Sequence, residues 1–396
     1  MTSRAAFLLV VTSALSCATF ARSSVAAPSS LETKTSVETA FYTDSDHVTV
    51  VTPSVAATVK DVLSGWSAGG SYLVDVVSAA SVDIVSTATP RWTEVRHAAT
   101  LHGDYKPETI GGSVAGAVSI EPDYRSLTGG GAIVGELEDK TVVPRFSYNY
   151  SHDVAGRSGT PFSTYSLELN RHALNGELTL VLDRETVVTV DVDAVFEMGH
   201  QEKPYRYLPL FEPDVAASIP TGASGKLVNE LRLPGRTAES VPTTRQRFAV
   251  SGRLAQRIAD TTFILSERGY TDSWGLRAST TDLRVVFDVS RNLYLWPHAR
   301  AHFQSGVSFW QRAYVGTIEA DGTLTVPSLR TGDREQSPLS SGALGGGARW
   351  NFAPGGDPSA LALVFMAEGM ITRYHDALFI SQRTGVFSAV QFHAVF

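Results

Sequence analysis

The sequence predicts an all-β fold, a transmembrane up-and-down antiparallel β-barrel of about sixteen strands. Three observations predict it. The chain opens with a secretory leader, it alternates with period two almost everywhere after residue 33, and its tight turns alternate with longer connections. Composition removes the competing classes. Among 396 residues, 43% are hydrophobic and only one is Cys, which excludes disorder and a disulfide scaffold. No apolar run reaches the roughly 18 residues of a membrane helix.

Arg4 precedes the apolar run Ala5 to Leu15, and small residues follow, ending Ser24-Val25-Ala26-Ala27. That order describes a signal peptide over residues 1–26, with residues 27–396 as the barrel. Lipoprotein processing at Cys17 is poorly supported, because Leu15 stands one position off the usual lipobox. Removal of the leader takes Arg4, Arg22 and Cys17 but no acid, so the net charge of −7 becomes more negative. A thiol site is then excluded, and so is a nucleic-acid partner, which needs a basic excess.

The strands are expected near 34–43, 48–60, 66–78, 92–105, 109–120, 125–137, 141–152, 163–182, 186–198, 245–258, 261–273, 279–290, 293–311, 338–353, 359–373 and 384–396. The clearest is 186–198: Val188, Val190, Val192, Ala194 and Phe196 share one face, while Asp191, Asp193 and Glu197 share the other. In 163–182 the apolar phase changes from Tyr165, Leu167 and Leu169 to Leu178, Leu180 and Leu182, which predicts a β-bulge near His172 to Gly176. In 261–273, Glu267 follows Phe263 and Leu265 on the expected lipid face. Tight turns such as Asp183-Arg184-Glu185 and Arg291-Asn292 place the short connections in the periplasm. Residues 199–244 and 312–337 are then long extracellular loops.

All six tryptophans lie near predicted strand ends, as two aromatic girdles would require. The last strand ends on Phe396, with Val386, Val390, Phe392 and Ala394 on the same face, like the signal read by the outer-membrane assembly machinery. These features predict the outer membrane of a Gram-negative bacterium, with lipid and that machinery as partners. The segments Ser71–Ser78, Lys203–Phe211, Asp272–Leu276 and Gly306–Tyr314 (SYLVDVVS, KPYRYLPLF, DSWGL and GVSFWQRAY) resemble an uncharacterised family of proteobacterial proteins, classed only as a domain of unknown function. The resemblance covers most of residues 38–396. It implies an outer-membrane barrel and supplies no activity or catalytic residue.

No catalytic chemistry emerges from the motifs. Gly65-Trp66-Ser67-Ala68-Gly69 has the nucleophile-elbow spacing, but it stands at a turn entering a strand with no helical period after it. His298 and His302 share a strand face about 13 Å apart, too far for one metal. Asp44 and Asp46 read as turn chemistry. The triplets Gly129–Gly131 and Gly345–Gly347 lack phosphate-loop spacing and lie within strands, where glycine marks a bend or a close approach of another backbone. No enzyme, metal or cofactor is expected.

The charged inner face is the informative chemistry. Asp191, Asp193 and Glu197 would face Arg247, Arg253 and Arg257, with Arg284, His298, Arg300 and His302 on neighbouring strands. Such a lining can select solutes, or it can simply join strands through acid–base pairs. In the 199–244 loop, Tyr205, Arg206, Tyr207 and Phe211 are expected either to plug the mouth, with Arg206 meeting an acid such as Glu197, or to rest as a surface cap. The first expectation for function is a pore or channel for small solutes. The alternative is a plugged structural or surface-binding barrel without transport.

Overall fold

The computed structural model describes residues 30–79, 92–352 and 360–396. The leader, Cys17 and its processing lie outside the described residues. Sixteen antiparallel strands close into one barrel. They are β1 (Leu31–Asp44), β2 (Thr49–Asp61), β3 (Trp66–Ala79), β4 (Trp92–Tyr105), β5 (Ile110–Ile120), β6 (Tyr124–Gly135), β7 (Val142–Ala155), β8 (Leu167–Val181), β9 (Thr186–Gly199), β10 (Thr244–Ile258), β11 (Thr261–Asp272), β12 (Arg277–Ser290), β13 (Leu293–Gln304), β14 (Leu339–Phe352), β15 (Leu361–Tyr374) and β16 (Gln382–Val395). Every strand pairs with its sequence neighbour, and β1 closes on β16 from Lys34↔Val395 to Asp44↔Gly385.

Closure leaves no free edge, so every strand can satisfy its backbone groups within the sheet. Alternation then assigns the faces. Val190, Val192, Phe248, Val250, Leu254, Leu283, Phe287 and Leu344 point outward and are exposed. No described helix is long and apolar enough to cross a membrane.

Local chemistry fixes the short turns. Asp183 accepts from the Glu185 N–H (2.8 Å) and the Thr186 hydroxyl (2.9 Å). At Gly65, φ is +73°, and a Cβ would collide with the Lys106 carbonyl. The elbow-like string is therefore a turn whose glycine is required sterically. Ser67 faces inward and donates to Asp104 (2.9 Å).

The structure corrects several sequence expectations. Strand β8 has no bulge, because its register with β7 and β9 is continuous throughout. Leu167 and Leu169 simply face inward beneath the long loops, while Asn170 and His172 take the outward positions. The register irregularity lies instead between Asp288 and Ser290. Strand β13 stops at Gln304, and the following residues join the loops, where Val307 and Tyr314 are buried. Trp66 and Trp350 point outward at the short-turn side, but Trp296 faces inward and Trp274 is buried among Val241, Leu276 and Val307. The girdle reading therefore fails for these two tryptophans, and for Trp310, which lies in the cap beyond the end of β13. Glu267 does face outward, where the Ser279 and Thr281 hydroxyls donate to its two oxygens (2.6 and 2.5 Å).

Residues 200–243 and 305–338 fold into a cap carrying two short helices, α1 (Pro213–Ser218) and α2 (Gly225–Leu231). Ser224 caps α2 by accepting from the Leu227 N–H (3.2 Å). Leu210 and Phe211 pair in parallel with Tyr314 and Val315, stitching the two loops together. Two apolar cores follow. One holds Phe211, Ala216, Ile219, Ala223 and Val228, and the other holds Leu208, Leu210, Leu233 and Tyr314.

Candidate functional site

All ten charged residues expected in the lining point into the barrel by register. They do not form one cluster. Glu197 is almost fully buried between Arg171 (3.3 Å) and Arg247 (2.8 Å). Asp193 accepts from Asn175 (2.8 Å) and Arg268 (2.8 Å). Arg257 holds Asp288 (2.6 Å) near the short turns. His302 meets the Thr280 hydroxyl (2.7 Å). His298 bridges two carboxylates, with Nε2 at Asp282 (2.7 Å) and Nδ1 at Glu368 (2.5 Å).

Arg253, Arg284 and Arg300 differ from these, since no ion pair joins them to any described residue. The Arg284 Nε is buried without an acceptor, and Arg253 and Arg300 are exposed to the lumen. The opposite wall is small and polar: Ser113, Ala115, Ala117 and Ser119 on β5, and Ser147, Asn149 and Ser151 on β7.

Several of these partners went unnoticed in the sequence. Glu368 occupies an inward position that alternation could have assigned, whereas the apparent bulge hid Arg171. Arg245, directly cross-strand from Glu197, turns away to pair with Asp272 under the Trp274 ring.

The cap touches the rim on many sides. Arg334 pairs with Asp46 in the β1–β2 turn. Asp46 is thus a tether, and Asp44 organises that turn by accepting from the N–H groups of Asp46 and Val48 (2.9 and 3.0 Å). Glu335 takes the Tyr374 hydroxyl (2.9 Å) and Arg383 (3.3 Å), and the Trp310 indole donates to the Asp376 carbonyl (2.7 Å). Tyr205 donates to Asp123 in the β5–β6 turn (2.7 Å) and accepts from the Ser158 N–H. Burial first, and then that bond to Asp123, push the Tyr205 hydroxyl up to about 12. Tyr207 is exposed, and Phe211 is wholly buried inside the cap. Arg206 pairs with Glu239 (3.3 Å) and Asp333 (3.1 Å), both in the cap, rather than with Glu197, because Arg171 and Arg247 already flank that carboxylate.

Between cap and wall lies a cavity of about 190 Å³, lined by Leu167, Leu169, Arg171, Glu197, Arg206 and Arg247 among others. At the rim, carboxylate oxygens of Glu94, Glu121 and Asp123 lie within 4.8 Å of one another, the spacing at which a divalent ion can be shared. Burial leads in raising the Glu121 carboxyl, with Arg96 opposing it and Asp123 adding to it.

A closed antiparallel barrel with an apolar outer wall and a polar, charged interior defines an outer-membrane β-barrel. The profile of the family described as protein of unknown function DUF3570 matches residues 168–333, from the start of β8 into the second cap loop. No curated protein matches. Similar solved structures include the ferric enterobactin receptor PfeA of Pseudomonas aeruginosa, at 11% identity and a TM-score of 0.45, covering 87% of this chain and 54% of the receptor. The chain thus spans about half the length of that receptor. The outer membrane protein OpdK of the same organism is 8% identical, with a TM-score of 0.38, covering 92% of this chain and 99% of its own. Pseudomonas aeruginosa OccK5 (OpdH) is 6% identical, with a TM-score of 0.42, covering 92% and 98%.

Proposed function

We propose that the protein is a non-enzymatic outer-membrane pore for small polar solutes, narrowed at its extracellular mouth by the folded cap. One observation carries this reading. Beneath the cap, the wall exposes Arg253 and Arg300 to the lumen opposite a lining of Ser, Ala and Asn. Exposed guanidinium groups need water, and an aqueous lumen is what a sixteen-stranded barrel encloses unless something fills it. The outer wall would meet lipid, and the strand ending at Phe396 would be read by the assembly machinery. A sealed structural barrel is the second reading, favoured by the closed apolar cores around Phe211 and Tyr314. Single-channel recording separates the two: a pore conducts with the cap in place, whereas a sealed barrel stays silent.

A further inference from the structure

Asp282 stands directly cross-strand from Arg300 and two positions from Arg284, so it is the natural ion-pair partner of both. It pairs with neither. His298 engages Asp282 through one ring nitrogen and Glu368 through the other. Gly345 on β14 lies between His298 on β13 and Glu368 on β15 by register, and the Glu368 side chain leans over it to meet the imidazole. A Cβ on Gly345 would collide with the Ala367 carbonyl and approach the Glu368 Cγ at 2.8 Å. A Cβ on Gly347 would collide with the Trp296 ring, which lies across the same strand. The triplet thus forms a floor over which two inward side chains extend.

The result is a local separation of charge. Elsewhere on the wall, arginines such as Arg247, Arg257 and Arg268 have carboxylates within ion-pair distance. Here the two carboxylates are drawn to the imidazole, while Arg253, Arg284 and Arg300 keep their guanidinium groups unpaired among the described residues. A guanidinium fork offers paired N–H donors matched to a planar or tetrahedral oxyanion.

We propose that Arg253, Arg284 and Arg300 form an oxyanion-binding rung on the lumen wall, in which Arg284 and Arg300 stay open because His298 sequesters Asp282 and Glu368. The ligand class is a small solute bearing a carboxylate or phosphate group. His298 is the positioning residue, and Gly345 leaves room for Glu368 to reach it. The inference rests on the aqueous lumen of the pore reading, but its test does not require conduction.

Calorimetry on the detergent-folded full chain, with inorganic phosphate and with succinate as separate probes, tests the rung. Binding of at least one probe is expected, and the probe that binds identifies the oxyanion. Arg284→Gln and Arg300→Gln should each weaken it about tenfold, the equivalent of about 1.4 kcal/mol. His298→Leu should weaken it similarly by freeing Asp282 to neutralise Arg300. Adding Asp282→Asn to His298→Leu should restore binding, which a merely structural role for His298 would not produce. Boiling-sensitive gel migration confirms that each variant is a folded barrel. Failure of both probes to bind the wild type overturns the rung, as does binding that the arginine variants leave unchanged. Failure of Asp282→Asn to rescue overturns the role of His298. Probe binding by a barrel silent in bilayers would refute the pore and leave the rung standing, while conduction without binding would do the reverse.

Discussion

Replacing Val190 by Arg separates the two faces of β9 by a single residue. Val190 points outward, flanked by Leu178 on β8 and Gly252 on β10, and is 40% exposed to whatever surrounds the barrel. It sits near the middle of the 14-residue strand Thr186–Gly199. A guanidinium there would meet hydrocarbon, at a cost of about 2–4 kcal/mol at the midplane that falls toward the interfaces. Val192 is one outward position nearer the strand centre, roughly 5 Å higher at a rise of about 3.3 Å per residue and a tilt of about 40°. Val192→Arg should therefore cost at least as much. Thr189 faces the lumen, where its hydroxyl shares a hydrogen bond with Thr179 (3.1 Å) and its cross-strand neighbour is Arg253. Thr189→Arg loses that bond, at about 1 kcal/mol, and adds a like charge screened by lumen water. Urea titration of folding into phosphocholine vesicles, read by gel migration without boiling, measures all three variants. Equal costs at Val190 and Thr189 would refute the assignment of faces.

Three further outcomes follow from the same geometry. Gly65→Ala should lower stability by more than the usual Gly-to-Ala change, because both its positive φ and the Lys106 carbonyl oppose a Cβ; denaturation midpoints check this. Neutralising Arg253 should shift reversal potentials toward cations, whereas neutralising Arg247, already paired with Glu197, should shift them less. The Tyr205–Asp123 tether involves a hydroxyl raised from an ordinary value of 10, so its contribution is complete below pH 10 and disappears as pH rises through about 12. Tyrosinate absorbance of wild type against Tyr205→Phe should therefore differ mainly near pH 12, and a difference centred at pH 10 would contradict the hydrogen-bonded tether.

Much of the barrel was legible because strand geometry repeats every two residues. The alternation across Thr186–Gly199 assigned both walls, and the same parity places Asp282, Trp296 and Glu368 inward. The apparent bulge in β8 shows the limit of that rule. Leu167 and Leu169 look lipid-facing only until the cap is known to cover the lumen above them. The cap itself has no period to read. Phe211 and Tyr314 are far apart in sequence and meet through two short parallel bridges, so their burial depends on a contact that neither loop specifies alone. Partner choice among charges was likewise hidden. Arg245 is directly cross-strand from Glu197, yet Asp272 and the Trp274 ring hold it, and the diagonal Arg247 takes the carboxylate. The glycine triplet at 345–347 was recognisable as a bend or a close approach, but not as the path by which Glu368 reaches His298.

Planar-bilayer recording of the full chain beside a variant lacking residues 203–236 tests the account most directly. That deletion removes Phe211, α1 and α2, and with them the core of the first cap loop, while leaving all sixteen strands intact. The account predicts small, steady conductance steps from the full chain and larger ones from the variant, because the cap, and not the barrel wall, sets the narrowest section. Silence from both, with the barrels shown to be folded and inserted, would contradict an aqueous passage beneath the cap.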